Sequence, residues 1–241
     1  MERNEFISIL KRAFETNGSG EFLNDESAEK LYLFAKKLVE TNKLFNLTAI
    51  TDEKEIILKH FVDCASILKL IPNNSTLIDV GCGAGFPSLP IAILRNDVKV
   101  TSLDSTAKKI DFINRTATEL SLSNIKAVSA RAEDFAKTNR EKFDVAVSRA
   151  VARLNILDEL SLPLVKVGGI FIAMKSSQGK VELEEAKKGI MTLGAEKESV
   201  KISVLSLDEL SIDRETYVFR KLSSTPMQYP RNYSQISKKP L

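Results

Sequence analysis

The stretch DVGCGAGFP, residues 79–87, lies between two apolar runs, TLI and SLPIAIL. Its three glycines, Gly81, Gly83 and Gly85, stand at alternate positions where a predicted strand gives way to a predicted helix. Glycine lets the backbone turn sharply and lets a ligand come close to it. Because ligands of open α/β sheets bind beyond the carboxyl ends of the strands, we predict that this stretch is a binding loop.

The spacing of the glycines differs from that of the common phosphate-binding loops. A dinucleotide fingerprint, G-x-G-x-x-G, would need its third glycine at position 86, which is Phe86. A P-loop would need G-K-S or G-K-T, which the stretch lacks. The pattern is G-x-G-x-G after Asp79, which argues against a pyrophosphate cradle. We expect Phe86 to cover the apolar side of the ligand and Pro87 to suit the first turn of the next helix.

Strand-like and helix-like segments alternate after residue 75, which is typical of a parallel sheet with helices on both faces. The last two strand-like runs have only a short connection and are expected to pair antiparallel. We therefore predict an α/β, Rossmann-like fold with a seven-stranded, mostly parallel sheet and an antiparallel strand near the C-terminus. The predicted parts are N-terminal helices at 1–72, the sheet domain at 73–222 and a basic tail at 223–241, in one compact unit.

Composition narrows the class of protein. The chain has 241 residues, 43% of them hydrophobic and 28% charged, and no apolar run approaches the roughly 20 residues of a membrane span. Two cysteines far apart in sequence and a single histidine argue against a disulfide framework and against a zinc site. We expect a cytoplasmic monomer that binds no metal and contacts no membrane.

The excess of positive charge lies at the C-terminal end, where residues 216–241 contain five basic residues and no acidic residue. A basic segment with interleaved aromatic residues is typical of contact with a polyanion, although a solvated, mobile terminus has the same composition. If the mobile part contacts RNA, deleting residues 226–241 is expected to weaken RNA binding and to leave cofactor binding intact.

Acidic residues follow the next two strand-like runs. Asp104 ends VKVTSLD, where a carboxylate can accept both hydroxyls of a ribose, and Glu133 follows IKAVSA, where it can meet an adenine edge. With the glycine turn, these acids describe a site for an adenosine that carries a non-phosphate group. The alternative is a structural turn with acids that only cap helices. The pattern resembles the class I S-adenosylmethionine-dependent methyltransferases, which implies S-adenosylmethionine as the cofactor, its methionine and ribose parts admitted by the glycines.

Further segments resemble one family of that class. They are TNKLFNLTAI, KHFVDCASI, DVGCGAGFPSLPIAI, SRAVARLNILDEL and the ending YPR…KKPL, in the same order from end to end. The family is the glucose-inhibited division protein B family, whose members methylate N7 of a guanine in bacterial 16S (small-subunit) ribosomal RNA. The resemblance implies cofactor contacts at Gly81, Phe86, Asp104, Ala132, Glu133 and Arg149.

Three features depart from the family pattern. Thr41 stands where Trp is usual, Ser88 stands where Gly is usual, and the tail has Asn-Tyr-Ser-Gln-Ile in place of a Gly-Thr-Pro stretch. The Ser88 change can alter the geometry of the glycine loop. The change in the tail can alter the contacts that the tail makes with RNA.

The chemistry implied by the resemblance needs no general base, because guanine N7 has an in-plane lone pair and no proton. The enzyme then supplies alignment of the nucleophile, the methyl group and the sulfur. Methylation of an exocyclic nitrogen usually accompanies a D/N-P-P-aromatic motif after the fourth strand, where this chain has SRAV at 148–151. Methylation of a pyrimidine carbon needs a cysteine near that place, and neither Cys64 nor Cys82 is there.

Several polar residues are candidates for contact with the substrate. For the guanine pocket they are Asn46, His60, Arg149 and Lys175. For RNA they are Arg153, Lys175, Arg231, Lys238 and Lys239. Structural alternatives stay open: a histidine that serves the fold, an Asn46 that closes a turn, and an Arg153 that pairs with Asp158 or another acid.

Two other functions compete with an rRNA guanine-N7 methyltransferase. A small-molecule methyltransferase would use the N-terminal helices as a lid and would have balanced charge, which the acid-free tail argues against. A non-catalytic, ribosome-associated RNA-binding module would have kept only the fold, and the intact glycine loop with Asp104 and Glu133 argues against lost cofactor binding.

Overall fold

The computed structural model describes residues 1–149, 151–176 and 179–241. The strands are β1 (Thr76–Val80), β2 (Lys99–Asp104), β3 (Ile125–Ser129), β4 (Phe143–Arg149), β5 (Val165–Lys175), β6 (Ala195–Leu207) and β7 (Leu210–Lys221). They form one sheet in the order β3-β2-β1-β4-β5-β7-β6. The first five strands pair in parallel, β7 pairs antiparallel to β5, and β6 pairs antiparallel to β7. The predicted fold class is confirmed.

Helices cover both faces of this sheet. They are α1 (Arg3–Thr16), α2 (Asp25–Asn42), α3 (Glu53–Ile56), α4 (Asp63–Ala65), α5 (Ser88–Leu94), α6 (Ala107–Glu119), α7 (Ala132–Asn139), α8 (Leu154–Ser161), α9 (Gly179–Thr192) and α10 (Tyr233–Lys238). A π-helical turn at Ile57–Val62 joins α3 to α4, and short 3-10 turns lie at Gly20–Phe22, Leu68–Leu70 and Leu162–Leu164. Within the described residues, no helix combines the length and the apolar character that a membrane crossing requires.

Aromatic rings join the N-terminal helices to the glycine loop. The ring centroid of Phe34 in α2 lies 5.1 Å from that of Phe86, 5.8 Å from that of Phe61 and 6.4 Å from that of Phe112 in α6. All four side chains are buried in one hydrophobic core. Tilted aromatic pairs at such distances stabilise a fold beyond the effect of burial alone. Helices that are distant in sequence therefore support the loop.

The opposite face of the sheet carries a second core. It contains Phe171 of β5 and Phe219 of β7, whose rings stack at 5.8 Å, and apolar side chains of α7, α8, α9 and α10. Because β7 lies beside β5 in the sheet, the C-terminal end of the chain is brought to this face.

Residues 223–241, here called the C-terminal segment, pack against the sheet domain. The guanidinium of Arg140 donates hydrogen bonds to three backbone carbonyl oxygens of the segment. Ile236 of α10 is fully buried. The expectation of a mobile terminus is therefore wrong, because the segment's backbone and its apolar side chain have partners near α7 and α8.

Candidate functional site

A cavity of about 770 Å³ opens at the carboxyl ends of β1, β4 and β5. The glycine loop, the chain between α2 and α4, and the ends of β4 and β5 line it. A second cavity of about 320 Å³ lies at the ends of β2 and β3. The two share the lining residues Gly81, Asp104 and Val151. They are therefore adjacent, and we call them together the edge cleft, with a large half and a small half.

The three glycines of the loop meet different surroundings. A Cβ atom on Gly81 would lie 2.5 Å from Cγ2 of Val151, and one on Gly85 would lie 2.5 Å from Cδ1 of Leu89. A Cβ atom on Gly83 would meet nothing within 4 Å. Gly81 and Gly83 line the large half of the cleft. Packing within the protein therefore requires the first and third glycines, and the open space lies over the second.

Asp104 supports the glycine loop at the junction of the two halves. Its Oδ2 accepts a hydrogen bond from the backbone N–H of Gly83 at 3.0 Å, and its Oδ1 accepts one from that of Thr106 at 2.8 Å. The side chain is partly exposed and lines both halves. Because each carboxylate oxygen has further lone pairs, Asp104 can also accept hydrogen bonds from a ligand.

The small half ends at α7, where Ala132 and Glu133 lie in the first turn. Glu133 is 6% exposed, and its Oε1 accepts a hydrogen bond of 3.3 Å from the backbone N–H of Tyr233. Arg131 and Tyr233 complete this end of the lining. The residues predicted to bind ribose and adenine thus lie at neighbouring strand ends, which follows from the parallel pairing of β2 with β3.

A buried carboxylate joins two arginines beside the large half. Asp63, which is 1% exposed, accepts a hydrogen bond from Nη1 of Arg149 at 3.0 Å and one from Nε of Arg214 at 2.8 Å. The guanidinium of Arg149 also donates to the carbonyl oxygen of Lys59 and lies 5.1 Å from the ring centroid of Phe86. Two cations around one anion leave an excess of positive charge, which favours an anionic group in the cavity.

His60 lines the large half, and both of its ring nitrogens are engaged. Its Nδ1 lies 3.1 Å from Nη2 of Arg149 and must accept, because a guanidinium offers only donors. Its Nε2 therefore carries the proton and donates to Oγ1 of Thr48 at 3.1 Å. Burial, followed by the charge of Arg149, lowers the pKa of His60 to about 3. The imidazole is neutral, stacks on Phe86 with centroids 4.2 Å apart, and has no free lone pair.

Asp79 lies beneath the loop and is fully buried. Its Oδ2 accepts a hydrogen bond from the backbone N–H of Ser88 at 3.1 Å, so it caps α5 and does not line the cleft. Burial raises the pKa of Asp79 to about 7. The hydroxyl of Ser88, at the position where the family pattern has glycine, is buried without a partner in the described residues.

The two arginines among the predicted RNA contacts are held by acidic partners. Arg231 binds the fully buried carboxylate of Glu159 through Nε at 2.9 Å and through Nη2 at 2.5 Å. Arg153 pairs with Glu185 at 2.5 Å rather than with Asp158. Both guanidinium groups are therefore engaged within the protein.

The remaining candidates lie in different settings. Lys175 lines the large half, but it is 9% exposed and its Nζ pairs with Glu182 at 2.8 Å. Asn46 is exposed in the chain after α2 and does not line the cleft. Lys238 and Lys239 are exposed, with no ion pair in the part of the chain that the structure describes. The assignment of these residues to substrate stays a prediction.

Several other residues line the large half, and sequence reasoning had assigned none of them to a pocket. They are Thr48, Lys59, Asp63, Lys109, Met174, Glu182 and Arg214. Asp63 follows His60 at i+3 in KHFVDCASI, and that spacing is a signal of proximity on a helix. Arg214 offered no signal, because it lies 151 residues from the carboxylate that it binds.

The edge cleft is suited to aligning two reactants rather than to removing a proton. Toward the interior of the large half, Glu182 is ion-paired, Asp63 is shared by two arginines, and His60 has no free lone pair. Asp104 supports the loop at the junction of the halves, and Glu133 lies at the far end of the small half. Within the described residues, no group of three or more His, Cys, Asp or Glu side chains is arranged to hold a metal ion.

Comparison with known proteins gives consistent results. The family described as rRNA small subunit methyltransferase G matches residues 27–211. A ribosomal RNA small subunit methyltransferase G from Clostridium perfringens is 42% identical over 241 residues, which cover 98% of this chain and 99% of the relative. A protein of the same name from Desulfitobacterium hafniense is 45% identical over 221 residues, 91% of each chain.

The fold also occurs among solved structures. TYW2 from M. jannaschii, in complex with AdoMet, superimposes with a TM-score of 0.54 at 12% identity. The match covers 66% of this chain and 75% of that chain. At this level of identity the likeness concerns the fold alone.

Proposed function

The chain belongs to the rRNA small subunit methyltransferase G family, and we propose that it transfers the methyl group of S-adenosylmethionine to N7 of a guanine in 16S ribosomal RNA. The enzyme class, the small-subunit rRNA substrate and the cofactor are inferred from relatives of that name. Their sequences are 42% and 45% identical to this chain over nearly the whole of both chains. The atom N7, the cytoplasmic location and a monomeric state are parts of the proposal.

The residues of the edge cleft fit S-adenosylmethionine, which supplies a methyl group on a sulfonium. Asp104 offers carboxylate lone pairs for the ribose hydroxyls, and Glu133 lies at the next strand end for the adenine. The space over Gly83 admits the methionine part. Arg149 belongs to the cluster of two arginines around Asp63, which has an excess of positive charge, and it is assigned to the cofactor carboxylate. These contacts orient the donor toward the large half.

The state of His60 supports N7 as the acceptor atom. An exocyclic amine loses a proton when it is methylated, whereas N7 has none to lose. The only histidine of the chain has one nitrogen accepting from Arg149 and the other donating to Thr48. In this reaction the protein therefore positions the guanine and excludes water, which lowers the barrier by alignment.

The rate of methyl transfer is expected to be nearly independent of pH between about pH 7.5 and 8.5, because no enzyme base must be deprotonated. The window begins above the pKa of Asp79, about 7, since ionisation of that carboxyl beneath the loop is a separate event. Single-turnover rates with saturating cofactor measure the chemical step. A rate that climbs about tenfold per pH unit across the window would show that a proton must be removed and would count against N7.

The function is tested by following a labelled methyl group. Purified protein is incubated with radiolabelled S-adenosylmethionine and, in parallel, with 16S rRNA, with small ribosomal subunits and with a metabolite pool. The RNA and subunits come from cells that lack the gene, so that the target is unmodified. We expect 7-methylguanine in RNA by mass mapping. Label in the metabolite pool would support a small-molecule methyltransferase, and binding to subunits without transfer would support a non-catalytic module.

The RNA surface is proposed to include cations at the rim of the edge cleft. Lys109 lines the large half and Arg131 lines the small half. Neither has an ion pair within the described residues, unlike Arg153 and Arg231. Lys109 lies in the first turn of α6, and that turn contains no acidic residue. Unpaired cations around the mouth of a cleft are suited to hold phosphates while a base enters it.

The Lys109→Gln/Arg131→Gln variant is expected to bind 16S rRNA more weakly and with a shallower salt dependence. Each lost phosphate contact flattens the logarithmic salt slope by about 0.7 to 0.9, so the double variant is expected to lose about 1.5. Filter binding over a salt series measures the slope. The matched control is Lys99→Gln/Lys197→Gln, which removes the same charge at exposed positions toward the opposite edge of the sheet. Equal slopes for the two double variants would place the RNA surface elsewhere.

A further inference from the structure

Tyr233 brings the C-terminal segment to the small half of the edge cleft. Tyr233, which is 40% exposed, lines that half together with Asp104 and Ala132. Its backbone N–H donates to Oε1 of Glu133 at 3.3 Å. An aromatic residue therefore lines the end of the cleft where the adenine is expected, on a segment that sequence reasoning assigned to RNA.

Buried interactions set the position of Tyr233. Two residues earlier, Arg231 makes a two-pronged ion pair with Glu159, and its backbone N–H donates to Oε1 of the same carboxylate at 2.7 Å. Nη1 of Arg231 donates to the carbonyl oxygen of Lys239 at 3.0 Å, so one guanidinium ties both ends of α10. The buried side chain of Ile236 holds the middle of that helix.

These interactions specify one location for the segment. A buried carboxylate that loses its partner is strongly destabilising, so Glu159 and Arg231 act as a unit that admits little displacement. A segment that served only as a flexible arm for RNA would not need an ion pair to a fully buried carboxylate beside a ligand cavity. The anchoring is better explained by a requirement to place Tyr233 and the backbone around it at the cleft.

We propose that the C-terminal segment completes the adenosine site, with Tyr233 as a residue that contacts the adenine of S-adenosylmethionine and Arg231 as a positioning residue. The inference rests on the proposed function, because it assigns a cofactor contact. The aromatic ring packs against the base, and the N–H of Tyr233 orients Glu133 so that its second oxygen is available to the adenine edge. The segment that carries the basic excess is thus part of the donor site.

Tyr233→Ala is expected to weaken S-adenosylmethionine binding about tenfold, as loss of an aromatic contact with a base does. The same factor is expected for S-adenosylhomocysteine and for methylthioadenosine, which keeps the adenosine and lacks the amino acid. Calorimetry measures all three affinities. Tyr233→Phe is expected to bind as the wild type does, because the ring remains. Met227→Ala, an 83% exposed position on the same segment, is the matched control.

Arg231 is tested by a kinetic signature that a general loss of stability does not produce. Arg231→Gln is expected to raise KM for S-adenosylmethionine with kcat retained at saturation, and Arg231→Lys, which keeps the charge, is expected to restore part of the affinity. If Arg231→Gln does not fold, Tyr233→Ala still decides the matter, since its side chain is exposed.

The outcomes separate this inference from the proposed function. Unchanged affinity of folded Tyr233→Ala for all three ligands would overturn the adenine contact while leaving the methyltransferase assignment intact. Weaker RNA binding with unchanged cofactor binding would also overturn it and would return the segment to the RNA surface. A wild-type protein that binds no S-adenosylmethionine would instead contradict the proposed function.

Discussion

Asp63→Ala is expected to lower the free energy of unfolding by roughly 3 kcal/mol, because removing one member of a buried charge cluster leaves the others uncompensated. Asp63 is 1% exposed and is the carboxylate partner of both Arg149 and Arg214. The side chains of the two arginines keep 15% and 22% exposure, so water relieves part of the cost. Urea denaturation followed by circular dichroism measures the change as a shift of the midpoint.

Asp208→Ala is the matched control for this experiment. Asp208 also pairs with two cations, Arg12 and Lys54, but at the surface, with a quarter of its side chain exposed. Surface pairs contribute little, so the loss is expected to be much smaller than that of Asp63→Ala. Equal losses for the two variants would contradict the conclusion that the cluster around Asp63 holds the π-helical turn against β4 and β7.

Asp104→Ala is expected to weaken S-adenosylmethionine binding by roughly tenfold to a hundredfold, which corresponds to about 1.5–3 kcal/mol for charge-assisted hydrogen bonds. The variant removes the acceptor assigned to the ribose. It also removes the acceptor of the Gly83 and Thr106 N–H groups, which loosens the glycine loop. Calorimetric titration of the apoprotein with the cofactor measures the loss.

Two further variants separate the causes. Asp104→Asn keeps one carbonyl acceptor without the charge and is expected to lose less affinity than alanine does. Asp111→Ala removes an exposed carboxylate from α6 and is expected to bind as the wild type does. If Asp104→Ala retained full affinity, Asp104 would be only a support of the loop.

Much of the site was predictable from short stretches of sequence. The glycine loop was recognised from alternate glycines between a strand and a helix, and Asp104 and Glu133 were placed near it because the carboxyl ends of parallel strands meet at one edge. The family and the fold class inferred in this way are confirmed by the relatives and by the sheet. The loop and the two acids depended on patterns within one strand or turn, whereas the fold class and the family depended on the order of such segments along the chain.

Only the tertiary structure decided which charged side chains form ion pairs within the protein. Arg231 was assigned to RNA from its basic neighbourhood, yet its partner Glu159 lies 72 residues earlier in the chain. Arg214 reaches Asp63 because β7 is inserted beside β5, an order of strands that no local pattern encodes. Charge is a property of one residue, whereas its neutralisation depends on which distant residue the fold brings within about 4 Å. For this reason the sequence by itself was enough to predict a cofactor site at the strand ends, and only the tertiary structure placed Tyr233 of the C-terminal segment in the lining of the small half.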